Sequence, residues 1–382
     1  MNCERGLPTG ASRITVQRDV HRHEINFAMH LGRVKRTFSK HLLPWYREHK
    51  RALPWRNTTD PYKIWLSEVI LQQTRVDQGL AYWKRFVERY PTVQDLATAH
   101  EDEVLKLWQG LGYYSRARNL LTAAKQVVSH HGGQFPRKHS DLLKLKGVGD
   151  YTAAAIASIC FGEVEAVVDG NVYRVLSRAF GIGTPIDSTA AKKQFKELAQ
   201  QLIDPTQPGD HNQAVMELGA TVCTPKNYAC LLCPLQAKCI AFASGRIDSL
   251  PVKEGVTKTR DRHFNYLHIS AVNGLYLQQR ASKDIWQGLF ELPLIESEQS
   301  WGKSSLLKAL EASHGPGWKV HSSSDEVKHV LSHQIIRAIF WQVEMPATFK
   351  APAEWKLVPR IQLFNYAVPR LIERWLEQQV GR

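Results

Sequence analysis

No apolar run in the 382-residue chain reaches the roughly 18 positions that a membrane-spanning helix needs, so no membrane partner is expected. The first residues, MNCERGLPTGASRITVQRDV, carry scattered charge and lack an apolar core, so they do not read as a secretory signal. Residues 1–33 are expected to form a disordered extension. The expected location is cytoplasmic, nucleoid-associated if the source is bacterial. Acidic side chains are in short supply: 36 Asp and Glu stand against 50 Lys and Arg, a net charge of +14. That excess points to an anionic partner, first of all nucleic acid, although a basic soluble protein without one has the same composition. Cysteine is scarce too, and four of the six lie between positions 223 and 239, which is not the layout of a secreted disulfide framework. Cys160, in the apolar stretch YTAAAIASICF, reads as a buried packing thiol. No internal repeat and no low-complexity tract is present.

What remains divides into two textures. Strand-like alternation is nearly missing from about Val34 to Ala243, where apolar residues recur at helical spacing, as in Val34, Phe38 and Leu42. DPYKIWLSEVILQQT opens with Asp60 and Pro61, a cap and a first-turn proline. EDEVLKLWQGLG has acids in its first turn and stops at Gly110. LLKLKGVGDYTAAAIASI reads as two helices joined by a Gly-Val-Gly turn. The spacing thus predicts a helical domain over 34–245. Residues 246–263 are rich in charge, Gly and Pro and read as a linker. Beyond them, NYLHISAVNGLYLQQR suggests two strands around Asn273-Gly274, and VKHVLSHQIIRAIFWQVEM suggests another pair. With helical segments at WGKSSLLKALEASHG and VPRLIERWLEQQ, residues 264–382 read as a smaller α+β domain.

The cysteines Cys223, Cys230, Cys233 and Cys239 have the spacing C-x6-C-x2-C-x5-C. Four thiolates on one short loop can close around a single cofactor. Zinc sites usually pair two tight knuckles, and only one tight pair is present here. The wider spacing suits the larger cage of one 4Fe–4S cluster, with zinc as the rival. Such a cluster can serve as a staple that presents Lys226, Lys238 and Arg246 to a phosphate backbone. Upstream, Gly147 and Gly149 allow a sharp turn that exposes N–H groups at the start of a helix, a natural seat for a DNA phosphate. Taken alone, the same turn fits an ordinary helix–turn–helix joint.

The segments LPWR (53–56), DPYKIWLSEVILQQTRV (60–76), WQGLGYYSRARNL (108–120), LKGVGDYTAAAI (145–156), VDGNVYRV (168–175) and ELGATVCTP (217–225), with the cysteine spacing, closely resemble the MutY-type adenine DNA glycosylases of the helix-hairpin-helix superfamily. The resemblance covers nearly everything from about Val34 onward. It implies a mainly α fold, a two-lobed helix-hairpin-helix domain with an iron–sulfur loop followed by a Nudix-like α+β domain. It implies base excision repair on double-stranded DNA, removing adenine opposite 8-oxoguanine or guanine, by a monomer.

The chemistry of the residues agrees with that reading. Breaking an adenine N-glycosidic bond needs an acid for the leaving base and a negative charge beside the sugar, and two carboxylates in different environments can divide these roles. Glu68 lies in the apolar run IWLSEVIL, so desolvation is expected to favour its protonated form; it is assigned proton donation to adenine N7 and then help in activating water. A solvated helix-surface glutamate is its bland alternative. Asp169 precedes the helix NVYRVL; it is assigned stabilisation or capture of the oxocarbenium-like sugar, and its bland role is a helix N-cap. Asn171 joins it in the catalytic group. Tyr151 stands where related endonuclease III-type enzymes carry a lysine that forms a Schiff base, so strand cleavage is not expected.

By resemblance Arg51, Trp55, Arg56, Leu71, Val76, Gln213 and Met216 line the adenine pocket, with Trp55 and Met216 equally at home in a core. Gln73, Leu111 and Tyr113 are the expected wedge residues; stacking by an aromatic such as Tyr113 contributes about 1–3 kcal/mol per base. Its neighbour Tyr114 reads as core. The Nudix catalytic R-E-x-x-x-E-E run is absent, so lesion recognition without pyrophosphate hydrolysis is expected. The family's Phe-Ser-His motif appears as Leu331-Ser332-His333, with Ser332 and His333 able to hydrogen-bond the lesion and the aromatic contribution at Leu331 lost. Two other readings stay open on sequence alone: an endonuclease III-like glycosylase with lyase activity, and a non-catalytic iron–sulfur DNA-binding protein. Tyr151 and the extra C-terminal domain argue against the first, Glu68 and Asp169 against the second.

Overall fold

The computed structural model describes residues 37–255, 259–271, 274–281 and 283–380. The expected extension over 1–33, Val34, Cys3 and the turn residue Asn273 lie outside them. Two compact units divide the chain: one holds the residues up to Trp65, Pro136–Lys144 and Val148–Glu254, the other Leu66–Phe135, Leu145–Gly147 and Gly255–Arg382. This division cuts across the expected sequence limits. Residues 66–135 group with the C-terminal residues, and 246–254 of the expected linker group with the first unit.

The first unit is helical. Phe38 and Leu42 face inward from the helix over 37–49, as their spacing requires, and Tyr46 continues the stripe. They meet Val172, Val175, Leu176 and Phe180 of the helix Gly170–Phe180, and Phe195 of Thr189–Leu202. The helix Asp150–Phe161 is buried on most of its circumference, because Ala153, Ala154, Ala155 and Ala157 are small enough to admit neighbours on several sides. Gly209 in the helix Pro208–Thr221 shows how close that approach is: a Cβ there would lie 2.8 Å from the Ile159 Cα. Ile247 and Leu250 of the expected linker are buried with Ala241 beside the cysteine loop, so these apolar side chains hold 246–254 in place. Cys160, expected to be buried, is half-buried.

The second unit has a helical part and a sheet. Helices Val76–Arg89, Val93–Thr98, Glu101–Trp108 and Ser115–His131 bury Phe86, Leu96, Leu105 and Trp108, with Phe86 and Trp108 in edge contact at 5.7 Å. Thr92 and Asp95 form a reciprocal capping box at the start of Val93–Thr98. The strands are β1 (Arg260–Ala271), β2 (Gly274–Gln279), β3 (Phe290–Glu291), β4 (Leu294–Ser297), β5 (Lys319–Ser323), β6 (Val327–Val330), β7 (Gln334–Glu344) and β8 (Trp355–Pro359). β1 and β2 pair antiparallel from Ala271↔Gly274, and β6 and β7 pair antiparallel, as the sequence suggested. The parallel pairing of β1 with β7 was not foreseen.

Strand β1 is buried along most of its length because both faces of the sheet are covered. Phe264 and Tyr266 pack with Leu371, Ile372 and Leu376 of the helix Arg370–Val380. Leu267 and Ile269, on the opposite face, pack with Leu306 and Leu310 of the helix Lys303–His314. Ser332 and His333 lie in the turn between β6 and β7; the 2.8 Å bond from Leu331 N to Gln334 O closes that turn.

Candidate active site and cysteine loop

The candidate carboxylates occupy different settings. Glu68 sits near the C-terminal end of the helix Pro61–Ile70, which Asp60 caps through Tyr62 N at 2.9 Å. Its neighbours Trp65, Leu66, Val69 and Ile70 are buried, and Glu68 itself is only 8% exposed, so the solvated-surface alternative is excluded. Asp169 is the N-cap of Gly170–Phe180: its Oδ1 accepts from Val172 N at 2.8 Å, and its Oδ2 accepts from Asn171 Nδ2 at 2.8 Å. Burial pushes its carboxyl above the usual range, while these donors and the Arg174 charge hold it down. The cap role and an oriented carboxylate are therefore one arrangement.

Arg174 extends that arrangement. It donates to Asn171 Oδ1 at 2.8 Å, to Gly219 O at 2.7 Å and to Cys223 O at 2.6 Å. Gly219 lies so close to this helix that a Cβ would stand 2.6 Å from the Asn171 Cβ. Asp169, Asn171, Arg174 and the first cysteine of the loop thus form one bonded chain.

Among the expected pocket residues, Arg51, Arg56, Gln213 and Met216 share one neighbourhood of the first unit. Glu217, fully buried, accepts from Arg51 N, Nε and Nη2 at 2.9, 2.8 and 2.7 Å and from Arg56 Nη2 at 2.6 Å. Desolvation pushes its carboxyl up, but the hydrogen bonds from Arg51 and Arg56 outweigh that and pull it down to about 2. Gln213, one helical turn earlier, accepts from the Tyr46 hydroxyl at 3.1 Å. Met216 Sδ accepts from the Tyr151 hydroxyl at 3.3 Å, so a phenol occupies the lysine position. Trp55 is 5% exposed, as its core reading anticipated. In the second unit, Leu71 and Val76 are half-buried on either side of Gln73, which is exposed.

Gln73 and Tyr113 both have left-handed backbones, with φ of 57° and 48°. Tyr113 is 44% exposed and Leu111 is buried; Tyr114 is buried too, which supports its core reading. The Tyr113 hydroxyl bonds the Ser332 hydroxyl within the second unit, while Leu331 packs on the sheet core and His333 is exposed. Of the two hairpin glycines, Gly147 needs its freedom: its φ is 76° and a Cβ would stand 2.7 Å from the Asn119 Cβ. Gly149 has φ −92°, open to any residue, and a Cβ there would meet no atom within 4 Å.

The four cysteines line one cavity together with Arg178 and none is in a disulfide. Burial pushes the Cys233 thiol up to about 12 and raises Cys230 and Cys239 as well, so thiolates here need a positive partner. Arg178 supplies one charge: it is 3% exposed and lies 3.5 Å from Cys223 Sγ while donating to Thr224 O, Ile247 O and Leu250 O. Among the described residues no three His, Cys, Asp or Glu side chains form a group able to hold a single metal ion. Four cysteine sulfurs around one cavity are a donor set that fits an iron–sulfur cluster as well as a zinc ion. Of the basic residues expected to face phosphate, Lys226 is exposed; Lys238 instead donates to Thr37 at 2.6 Å and Arg246 to Gly181 O at 3.3 Å.

Glu217, Arg174 and Arg178 were missed by sequence reasoning. Glu217 is the lone charge in the apolar run AVMELGA, and Arg174 and Arg178 are the two charges in the otherwise largely apolar run VYRVLSRAF; that pattern is their available signal.

A family model described as the HhH-GPD superfamily base excision DNA repair protein matches residues 66–201, and one described as a NUDIX domain matches 265–378. The chain is 49% identical over 226 residues to the adenine DNA glycosylase of Mus musculus, covering 56% of this chain and 44% of that protein. It is 38% identical over 353 residues to that of Homo sapiens, covering 78% and 65%. It is 35% identical over 262 residues to that of Buchnera aphidicola subsp. Schizaphis graminum, covering 68% and 76%. The chain therefore spans less than half the length of the mouse relative. Among solved structures, a thermostable thymine-DNA glycosylase is similar with a TM-score of 0.52 at 30% identity, covering 56% of this chain and 98% of that one.

Proposed function

The chain belongs to the adenine DNA glycosylase family, and from that premise we propose that it excises adenine mispaired with 8-oxoguanine or guanine in double-stranded DNA, leaving an abasic site. The observation that carries this reading is Glu68, a carboxyl only 8% exposed beside the buried side chains Trp65, Leu66, Val69 and Ile70. As the acid, Glu68 can protonate adenine N7 and then, as the carboxylate, accept a proton from water. Asp169 supplies the opposite need. Held by Val172 N and Asn171, it meets the positive charge that develops on the sugar as the bond breaks.

Adenine must first leave the stack, at a cost of a few kcal/mol. Gln73, Leu111 and Tyr113 act as wedges on the duplex, and the Tyr113–Ser332 contact supports a role for Ser332 and His333 in reading the oxidised base. Arg51, Trp55, Arg56, Leu71, Val76, Gln213 and Met216 receive the flipped adenine. Gly147 and Gly149 seat a phosphate at the start of the helix Asp150–Phe161. Tyr151, whose hydroxyl is turned to Met216, offers no amine for a Schiff base, which supports release without strand cleavage.

Cys223, Cys230, Cys233 and Cys239 hold one 4Fe–4S cluster in this reading. Bound there, it supplies a covalent staple for the loop, and no step of the chemistry passes through it. Arg178 offsets the thiolate charge, and the exposed Lys226 and Arg246 can approach phosphate.

The test is a duplex with one adenine opposite 8-oxoguanine, treated with alkali after incubation. Cleavage only after alkali is expected. Cleavage without alkali would overturn the assignment of Tyr151, and binding without release would overturn the enzyme itself. Glu68→Gln is expected to abolish release while duplex affinity is kept.

A further inference from the structure

We infer that Arg116 is the positioning residue for both wedges, one guanidinium fixing the backbone of Gln73 and of Tyr113 together; the inference rests on the proposed wedge role of those two residues. Non-glycine residues at positive φ are few: among the described residues they are Gln73, Tyr113, Asn227 and Trp286. Such a backbone is unfavourable for a side-chain-bearing residue, so it persists only where neighbours determine it. At Gln73 and Tyr113 the same neighbour does so. Arg116 Nη1 donates to Gln72 O at 2.6 Å, and Nη2 donates to Gly112 O at 3.3 Å. These are the carbonyls directly preceding the two left-handed residues. Each belongs to the peptide plane whose tilt is set by the φ that follows it, so holding the carbonyl holds that φ.

The rest of the surroundings reinforce the grip. Nη1 also meets Val69 O at 2.9 Å and Ile70 O at 3.2 Å, close to the end of the helix that carries Glu68. Nη2 reaches Leu111 O at 3.5 Å. The guanidinium lies 5.1 Å from the Trp108 ring and 5.6 Å from the Tyr113 ring, and Trp108 Nε1 donates to Gly112 O at 3.0 Å. Five carbonyls, two at the end of the Glu68 helix and three in two loops, converge on one planar fork. A lysine offers a single ammonium and cannot span both loops with fixed geometry. Arg116 therefore sets where the two wedges stand relative to each other and relative to the Glu68 helix. It touches neither the adenine nor the reacting bond.

The experiment compares Arg116→Lys with wild type in the full chain, measuring single-turnover adenine release from two duplexes. One has adenine paired opposite 8-oxoguanine. The other has the adenine bulged, with no base opposite, so that no pair must be opened. Release from the paired duplex is expected to fall about tenfold, a loss of the size that one strained position makes plausible. Release from the bulged duplex should stay close to wild type. Equal losses on both duplexes would overturn the inference, as a general structural defect would give them, and so would no loss on either. If Arg116→Lys does not fold by thermal melting, Arg116→Gln, whose amide reaches one loop only, is the second arm with the same expected pattern. Failure of both to fold would reduce Arg116 to a stability residue and overturn the inference. The wild-type arm separates the two levels: no release from either duplex sinks the glycosylase reading, and this inference with it.

Discussion

Asn171 donates its side-chain amide to the Oδ2 of Asp169 at 2.8 Å. Through the other end of the same amide, Arg174 ties that carboxylate to the carbonyl of Cys223. A candidate catalytic group and the start of a cofactor loop thus share one hydrogen-bonded chain, although 54 positions separate Asp169 from Cys223 in sequence.

Replacing Asn171 by Ala removes a donor that holds the Asp169 carboxyl down against burial. Adenine release is expected to fall about tenfold, the equivalent of one lost hydrogen bond to a charged group. The acid limb of the rate profile should also move to higher pH, because a carboxyl with one donor fewer needs a higher pH to ionise. An unchanged acid limb, read from single-turnover rates across pH, counts against an ionised Asp169.

Glu217→Gln should cost about 3–5 kcal/mol near neutral pH, since it leaves Arg51 and Arg56 without their buried counter-charge. The pH dependence follows from a folded-state value of about 2 against an ordinary 4.5. A depressed carboxyl contributes its stability above the unfolded value and loses it as pH falls through the folded one. The stability gap between wild type and Glu217→Gln should therefore be full above about 4.5 and shrink toward about 2. Urea unfolding at several pH values measures that gap; a gap independent of pH contradicts the assignment.

Gly219→Ala tests the packing that holds Asn171. The new Cβ would stand 2.6 Å from the Asn171 Cβ and 3.0 Å from its carbonyl oxygen, so backbone must shift. Overpacking of this kind typically costs about 1–3 kcal/mol. A lower melting temperature together with slower release is expected. A normal melting temperature would mean that the two helices separate freely.

Cys233→Ser is expected to lose bound iron and to weaken duplex binding, because three sulfurs cannot close the loop that carries Lys226. Helical circular dichroism should change little, since the helices of the first unit bury their own core. Iron content by elemental analysis and duplex affinity check this. Full iron retention in the variant removes Cys233 from the ligand set.

The legible parts of this molecule were those with local causes. Asp60 and Pro61 mark a helix start through capping chemistry, and the apolar run around Glu68 makes its burial readable before any fold is known. The β6–β7 pairing was likewise readable, yet the position of its turn at Ser332-His333 was not. A turn of this kind is set by the Leu331–Gln334 bond, which alternating residues do not reveal. That Gly147 has a positive φ and Gly149 does not was illegible, because a glycine in sequence does not disclose the sign of its φ.

By itself the sequence determined the residue types and their local spacing: two carboxylates in unlike settings, a tyrosine in place of a lysine, and four cysteines within one loop. Periodicity and capping act over a few residues, so one chain read in order contains them. Tertiary structure alone decided which distant groups meet. Glu217 unites Arg51 and Arg56, Arg174 joins Asp169's helix to Cys223, and Arg116 gathers the carbonyls before Gln73 and Tyr113. Each of these is a buried or half-buried charge whose partners lie far along the chain or on backbone carbonyls, which carry no mark in the sequence. Desolvation makes such charges costly unless fully paired, so it is the completed fold that fixes them.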